Sequence, residues 1–505
     1  MPESVVRPTI HPDLPAPPDT LAGLWQVLRA PRLLTREVLA GVVTSLALIP
    51  EVISFSIIAG VDPMVSLVAS VVLALTMSVL GGRPAMVTAA AGSVALVIAP
   101  LVRSHGVEYV LPAVILAGVV QIAFGWAGLA RLMRFIPRSV MIGFVNALGI
   151  LIFLAQVPHL IAVPWLVYPL FALTMVIILV LPRFTRAVPA PLVAIVAVTA
   201  VVMIFGLAVP NVAGEGPMNG GLPGLTPFLV PLNLQTLSIV WPTALSVAFV
   251  GLMETLLTAK LVDDLTDTKS HKSRESWALG VANILSVFYG GMAGCAMIGQ
   301  TVVNVRIGRA RTRISTIAAG LFLLLLVTAL SNVMGQIPMV ALAAVMMVVA
   351  VSTVNWHSVR PATLKRMPVP ETIVMAVTVA IVVATGNLAI GVLVGVVLAM
   401  VLFARRVAHV ITVRRMLAGD GGSVRYAVEG PLFFGSSNDL VEQFDYAADP
   451  ASVVVDLTGA QIWDASSVAA VDSVESKFAR HGATVEVVGL DERSTALRQR
   501  LTGHV

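Results

Sequence analysis

Apolar residues run almost without pause from Val38 to Phe403, broken only by glycine, proline or an occasional charge. A bilayer core about 30 Å thick is crossed by roughly 20 apolar residues in a helix, so the pattern predicts a polytopic membrane protein. Reading the runs against their breaks gives fourteen spans, near 38–57, 64–80, 87–101, 109–130, 137–156, 165–181, 188–208, 240–259, 277–289, 295–305, 314–330, 338–352, 370–384 and 388–404. After Arg405 and Arg406 the pattern changes. VRYAVEGPLFFGS alternates like a strand, ASVVVDL reads as a buried strand, SSVAAVDSVESKFAR as an amphipathic helix, TVEVVGL as another strand and STALRQRL as another helix. These segments predict a small α/β domain. The expected organisation is a cytoplasmic N-terminal segment 1–37, a transmembrane domain 38–406, a linker 407–421 and the α/β domain 422–505.

Composition agrees with the pattern. Charged residues are 12% of the chain, about half the roughly 25% of soluble proteins, and 57% of residues are hydrophobic. The opening MPESVVRPTIHPDLPAPPDT places prolines and acids where the apolar core of a signal peptide would be, so the first residues read as a short cytoplasmic tail. A single cysteine, Cys295, allows neither an intramolecular disulfide nor a multi-cysteine metal site. The net charge of +5 has its explanation in the membrane rather than in nucleic acid, because lysine and arginine accumulate in cytoplasmic loops. With the N-terminus inside, the cytoplasmic loops hold Arg83; Arg131, Arg134 and Arg138; Arg183 and Arg186; Lys260, Lys269, Lys272 and Arg274; Arg306, Arg309, Arg311 and Arg313; and Arg360, Lys365 and Arg366. The outer loops hold Arg103, and the long stretch from Gly206 to Pro242 has no Lys or Arg at all. Both ends of the chain are therefore expected to be cytoplasmic, with the arginines of GQTVVNVRIGRARTR (Gly299 to Arg313) as topology anchors.

Two spans are unusual. The third, after Gly81 and Gly82, and the tenth, after Gly290 and Gly291, run through small residues and do not begin like good helices. Chain that crosses half the bilayer in extended form before starting a short helix needs small residues, and its backbone must line a cavity or be buried in protein. Ordinary packing of small-residue helices is the alternative. Acids stand in the neighbouring spans: Glu51 in the first and Glu254 in the eighth. Carboxylates at membrane depth are costly and point to function. From Glu51 to Gly82 is 31 positions and from Glu254 to Gly291 is 37. Spans one and eight, like three and ten, are seven apart, and an odd offset makes equivalent helices run in opposite directions. That is the pattern of an inverted repeat with broken helices meeting at the midplane, as in secondary transporters.

The segment from Met253 to Arg313, METLLTAKLVDDLTDTKSHKSRESWALGVANILSVFYGGMAGCAMIGQTVVNVRIGRARTR, resembles the sulfate permease (SulP) family of anion transporters, as does the first span around Pro50, Glu51 and SFSIIAG. The resemblance covers nearly the whole chain. It implies fourteen spans as a seven-plus-seven inverted repeat, split into core and gate domains. An anion is then held between the facing helix N-termini of spans three and ten, at Gly92, Ser93 and Val94 and at Ile298, Gly299 and Gln300. Free N–H groups and about half a positive charge at each such end favour an anion. Phe55, one turn after Glu51, either covers the anion with its ring edge or packs in the core. The resemblance also implies a cation site at an acid with a threonine four residues on, here Glu254 and Thr258.

The chain departs from the family at two places. Gln300 stands where many members carry arginine, and Glu51 where glutamine is usual. Both changes make the site more negative, so a divalent anion would be repelled unless an acid were protonated. This predicts proton coupling at Glu254, with sodium as the rival ion. Sulfate, bicarbonate and dicarboxylates such as fumarate all remain candidates, and the loss of arginine favours the larger carboxylates.

Asp263, Asp264, Asp267, His271 and Glu275 read as a solvated face or helix caps at the end of span eight, and Asn146, Gln156 and Asn283 as interhelical hydrogen bonds. No Walker loop, Ser-His-Asp arrangement, nucleotide-binding glycine pattern or metal spacing is present, so ATP-driven transport, catalysis and a cofactor are not called for. The C-terminal segment VVVDLTGAQIWDASSV is similar to the STAS domain of this family and of anti-sigma-factor antagonists. Where the antagonists carry a phosphorylated serine this chain has Ala465, followed by Ser466 and Ser467. The domain is expected to support folding, dimer contacts or a protein partner, and family resemblance implies a homodimer. Other readings remain: a sodium-coupled symporter, an anion exchanger or a channel built on the same residues, a nucleobase–proton symporter of related fold, and a membrane-anchored signalling protein whose output is the STAS domain.

Overall fold

The computed structural model of the chain describes residues 25, 27–128, 136–184, 189–218, 224–231, 233–408, 411–417, 423–447, 449 and 451–501. Most of the N-terminal segment, and the loop arginines Arg131, Arg134 and Arg186, lie outside the described residues. The chain divides into two compact units, Met1–Gly395 and Val396–Val505.

The first unit is helical. Its first half comprises α1 (Pro31–Ala59), α2 (Pro63–Leu80), α3 (Gly92–His105), α4 (Val110–Trp126), α5 (Arg138–Gln156), α6 (Val167–Phe184) and α7 (Ala190–Ile204). Then come α8 (Leu234–Thr266), α9 (Lys272–Phe288), α10 (Ile298–Val302), α11 (Arg313–Gly335), α12 (Met339–Thr353) and α13 (Val369–Thr385), and α14 (Leu388–Ala408) begins in this unit and continues into the second. Among the described residues eight helices are long and apolar enough to cross a membrane, and α3, α7, α12 and α13 are shorter apolar helices. Local chemistry sets many of the ends. Pro31, Pro63 and Pro191 occupy first turns, where a missing N–H costs no hydrogen bond, and Gly60 closes α1 at φ 75°, a left-handed conformation that glycine adopts without strain. Asn233 caps α8, its Oδ1 accepting from Thr236 N–H at 2.8 Å, so this helix starts before the predicted span and shortens the loop read as reaching Pro242.

Helices α1 to α4 pack with α8, α9 and α11, while α5, α6, α7, α12 and α13 form a second packed group. Glycine makes the closest crossings possible. A Cβ on Gly280 of α9 would lie 2.4 Å from the Gly118 carbonyl of α4, and one on Gly41 of α1 would lie 2.2 Å from the Ser315 carbonyl of α11. Where water drives no apolar association, such close backbone packing holds helices together.

The third and tenth spans both open as strands. β1 (Thr88–Ala90) and β2 (Gly294–Ala296) pair antiparallel, with Thr88 opposite Ala296, Ala89 opposite Cys295 and Ala90 opposite Gly294. Each strand leads directly into a short helix, α3 or α10. Extended chain is tolerated here because all six strand residues are buried and their N–H groups find partners inside the protein: Ala90 N–H donates to Ser70 Oγ at 3.1 Å, Gly294 N–H to Asn283 Oδ1 at 2.8 Å and Ala296 N–H to Thr255 Oγ1 at 3.0 Å. Small residues are obligatory at the crossing, since a Cβ on Gly294 would lie 2.1 Å from the Ala89 carbonyl oxygen.

One group of polar residues departs from the sequence reading. Glu275, expected on a solvated face, is 1% exposed and accepts a hydrogen bond from Gly82 N–H. The guanidinium of Arg313 donates to the carbonyls of Ser78 at 2.9 Å and Gly81 at 2.7 Å, and Arg274 donates to Leu80 O at 2.9 Å. The C-terminal end of α2, which needs partners for its last carbonyls, is thus stitched to α9 and α11. Arg83 likewise pairs with Asp263 at 3.2 Å, and Glu37 accepts from Arg311 N–H at 2.8 Å and from the Thr312 hydroxyl at 2.9 Å. Several arginines read as topology anchors therefore also act as interhelical clasps.

The second unit carries a four-stranded sheet in the order β3 (Thr412–Leu417), β4 (Ser423–Leu432), β5 (Ser452–Ile462), β6 (Thr484–Val488); β3 runs antiparallel to β4, and the other neighbours are parallel. β3 falls in the stretch read as linker, a mixed-polarity sequence (TVRRML) whose exposed edge position leaves no clear apolar alternation. Helices α15 (Ser437–Glu442), α16 (Ala465–Arg480) and α17 (Glu492–Leu501) complete the unit. The core is Tyr426, Phe444 and Phe478 with the valines of β5. Asp464 caps α16, its Oδ1 accepting from Ser467 N–H at 3.0 Å and Ser467 Oγ at 2.8 Å, so Ser467 serves the helix start. On β5, hydrogen bonds from the Thr458 hydroxyl and N–H, reinforced by the Arg425 guanidinium, hold the Asp456 carboxyl down at about 2.

Candidate functional site

The site is built where α1, α3, α8 and α10 come to the β1–β2 pair. In α3 the first helical bond runs from Ala95 N–H to Ala91 O at 2.9 Å, which places the N–H groups of Gly92, Ser93 and Val94 ahead of the ladder. In α10 it runs from Thr301 N–H to Met297 O at 3.1 Å, which does the same for Ile298, Gly299 and Gln300. These are the six positions expected from the sequence. The second of the two helices is shorter than expected: α10 lasts five residues and passes into a π-helical turn, Val303–Ile307. What so short a helix can offer an anion is local N–H groups more than a long aligned dipole.

The two ends differ in access. The start of α3 is covered, since Ser93 and Val94 are at most 1% exposed and a Cβ on Gly92 would come within 2.6 Å of the Phe55 ring. Phe55, itself 3% exposed, lies on Gly92. Gly299 at the other end is exposed, and a Cβ there would meet nothing within 4 Å. Of the two helix starts, that of α10 is thus the open one.

The acids fall into two settings. Glu254 of α8 is buried, and its Oε2 accepts hydrogen bonds from Ser93 Oγ and, at 3.1 Å, from the thiol of Cys295. Ser93 Oγ and Cys295 Sγ are 3.6 Å apart, so one oxygen gathers a donor from α3 and a donor from β2. Thr258 sits one turn on, but its hydroxyl donates to the Glu254 backbone carbonyl at 2.8 Å and to Ala296 O at 3.3 Å, not to the carboxylate. Glu51 of α1 lies instead beside the side chain of Gln300 of α10. The two departures noted in the sequence are therefore neighbours.

Sequence reasoning missed Cys295. Its 0% exposure and its aim at Glu254 follow from the register of β2, and a lone cysteine in GGMAGCAMI gives no pattern to read. It also missed the support behind β2, in which Gln121 of α4 accepts from Asn283 of α9 at 2.9 Å while Asn283 accepts from Gly294 N–H. Asn283 and Asn146 do make the expected interhelical bonds, Asn146 donating to Ser358 Oγ at 3.0 Å. Among the described residues no group of three or more His, Cys, Asp or Glu could hold a metal ion.

Since Gln300 lies beside Glu51, an arginine at 300 would stand next to that carboxylate, and its charge would be largely quenched. Gln300→Arg alone is expected to change sulfate affinity by less than about threefold, and Gln300→Arg with Glu51→Gln to raise it by about tenfold or more, near 1.4 kcal/mol. Equilibrium binding of labelled sulfate to the single and double variants in detergent checks this, and additive effects would contradict the pairing.

Broken helices that cross beside a buried acid within a bundle of apolar helices are the architecture of a multi-pass membrane transporter. The chain belongs to the sulfate permease family: that family's pattern matches residues 34–168 and 162–378, and the STAS domain pattern matches residues 415–502. It is 48% identical over 466 residues to YbaR of Bacillus subtilis (strain 168), a protein provisionally named a sulfate transporter, covering 92% of this chain and 96% of that one. It is 24% identical over 479 residues to the bicarbonate transporter BicA of Picosynechococcus sp., covering 83% and 82%. Among solved structures, the murine Slc26a9 anion transporter in an inward-facing state superposes with a TM-score of 0.79 at 16% identity, over 95% of this chain and 91% of that one. The transmembrane domain of a cyanobacterial BicA gives 0.62 at 23% identity, over 72% and 97%. These structures share the fold.

Proposed function

We propose that the protein is a secondary active anion carrier that couples the inward movement of an anion to a proton by alternating access. The observation that carries this reading is the buried Glu254 carboxylate, joined through Ser93 to the start of α3. A carboxylate beside an anion cradle repels the anion when charged and admits it when protonated, which is the elementary requirement for symport. The anion lies between the starts of α3 and α10, with Gly92, Ser93 and Val94 on one side and Ile298, Gly299 and Gln300 on the other. Glu51 and Phe55 border it, and Glu254 with Thr258 forms the coupling site. The absence of an arginine in the cradle favours a dicarboxylate such as fumarate, or bicarbonate, over tightly held sulfate.

In this reading the membrane domain, residues 38–406, is a fourteen-span, seven-plus-seven inverted repeat. The group α1–α4 with α8–α11 is the core that carries the site, and the group α5–α7 with α12–α14 is the gate. Both chain ends are cytoplasmic, the STAS domain (residues 422–505) supports dimer contacts or a protein partner, and the carrier is a homodimer in the cell's plasma or inner membrane. Sodium is the weaker candidate for the coupling ion. A hard cation needs a cage of oxygens, whereas the Thr258 hydroxyl is engaged with backbone carbonyls and Glu254 faces a thiol.

The reading is tested by uptake of labelled sulfate, fumarate and bicarbonate into proteoliposomes at zero membrane potential with the interior alkaline. Concentrative uptake of one of them, independent of sodium, is expected. Uptake that ignores the proton gradient but follows a sodium gradient would replace the proton with sodium, and downhill flux with neither would make the protein an exchanger or channel.

A further inference from the structure

We propose that the Ser93 hydroxyl is the coupling element: a single O–H donor that serves either Glu254 or the bound anion, and so converts the protonation state of Glu254 into anion affinity. The inference rests on the carrier reading given above and names the residue through which its two sites communicate.

The geometry is specific. Ser93 is the second residue of α3, so its backbone N–H belongs to the cradle while its side chain reaches across to α8 and donates to Glu254. Ser93 is 1% exposed and Glu254 is 7% exposed, so water competes little with this contact. A serine hydroxyl has one hydrogen to donate, and it goes to the stronger acceptor. Hydrogen bonds to a charged oxygen are roughly twice as strong as those to a neutral one. While Glu254 is a carboxylate it holds the Ser93 hydrogen, and the hydroxyl turns its lone pairs, which repel an anion, toward the cradle. Both observed donors converge on Oε2, so an incoming proton adds to Oε1. Oε2 then becomes a neutral carbonyl-type acceptor, the anion becomes the stronger partner, and the Ser93 O–H rotates to it. The proton stays on Glu254 and travels with the anion; no other bond is made or broken. Release reverses the order, since loss of the proton from Oε1 draws the Ser93 hydrogen back and removes a donor from the anion.

The titratable and charged groups on the elements around Glu254 are few. The titratable group facing Glu254 from β2 is the Cys295 thiol. Within their ranges α4 and α10 carry none, the turn Val303–Ile307 carries Arg306 toward its end, Arg103 and His105 lie in the last turn of α3, and on α9 the groups Lys272, Arg274 and Glu275 lie in its first turn. Glu51, from α1, faces Gln300. On α8 itself Lys260, Asp263 and Asp264 follow beyond Thr258, toward its C-terminal end. Cys295 differs from Ser93 in a useful way: it donates to the same oxygen but stands on the strand β2, outside both helix starts.

The test measures the pH dependence of affinity for whichever of labelled sulfate, fumarate or bicarbonate the wild type takes up, using purified full-length protein. In the wild type affinity is expected to rise about tenfold per pH unit as pH falls through the titration of Glu254. In Ser93→Ala the dependence is expected to flatten to about twofold or less, with binding retained through the backbone N–H groups. Ser93→Thr keeps a hydroxyl and should restore the slope, and it also guards against a misfolded alanine variant. Cys295→Ala should move the pH midpoint and keep the tenfold slope. A full slope in Ser93→Ala, or a slope lost equally in Cys295→Ala, would overturn the switch while leaving proton coupling intact. A wild type with no pH dependence would instead remove proton coupling through Glu254, and the switch with it.

Discussion

Glu254→Gln is expected to abolish proton-driven accumulation while leaving anion exchange. Glutamine keeps the volume of the side chain and an oxygen that can accept from Ser93 and Cys295, so the packing around α8 should persist. What it lacks is a proton that binds and leaves. Coupling one proton to one anion at zero membrane potential allows about tenfold accumulation for each unit of pH gradient, equivalent to about 1.4 kcal/mol. Proteoliposomes with a two-unit gradient should therefore concentrate the anion on the order of a hundredfold with the wild type and not at all with the variant. Homoexchange in the absence of a gradient should stay within about tenfold of wild type, since the neutral side chain mimics the protonated carrier. Concentrative uptake by Glu254→Gln would make this residue structural and move the coupling elsewhere, with Glu51 the next acid to examine.

The second large effect is expected from Gly294→Val, at the strand crossing. Backbone, not a flexible side chain, lies within 2.1 Å of the position a Cβ would take, and Leu73 Cδ1 follows at 2.5 Å. The two strands must separate, which breaks the approach of α3 to α10 and uncouples Gly294 N–H from Asn283. Overpacking alone costs about 1–3 kcal/mol, and an orphaned buried amide adds about 1–3 kcal/mol more. Size-exclusion chromatography of a fluorescent fusion should show loss of the monodisperse peak. Gly299→Ala is the matched control, because its Cβ would enter open space; it should elute as wild type. A monodisperse, transport-active Gly294→Val would show that the crossing tolerates separation.

Much of this was legible before any coordinates. The acids Glu51 and Glu254 announce themselves because charge within apolar spans has few bland explanations, and the small residues after the double glycines mark where the helices break. The positions expected at the two helix starts are those whose N–H groups stand ahead of the first helical bonds. What sequence could not give is direction. Gln300 and Glu51 read as two additions of negative character, but they face each other, and only the placement of α10 beside α1 reveals it. Glu275 looked solvated because it follows the charged run from Lys260 to Arg274, yet it turns inward to the end of α2. Cys295 and Asn283 belong to the site through long-range register, and no local period encodes a contact between residues 41 positions apart, as for Cys295 with Glu254. Strand β3 was hidden by its edge position, where neither face is continuously apolar.

The pairing of β1 with β2 also constrains how the chain is made. Thr88 finds its partner in Ala296, more than 200 residues later. At roughly 5–20 residues per second, ribosomal synthesis needs on the order of 10–40 s to deliver the second strand. During that interval the first crossing has emerged without its partner strand, and α3, about 21 Å long by its 14 residues, is too short to span the bilayer by itself. The nascent chain must therefore wait beside the insertion machinery or a lipid-shielding partner until its second half arrives. Mutations that slow translation between residues 90 and 294 should on this account lower yield without altering a single contact of the finished protein.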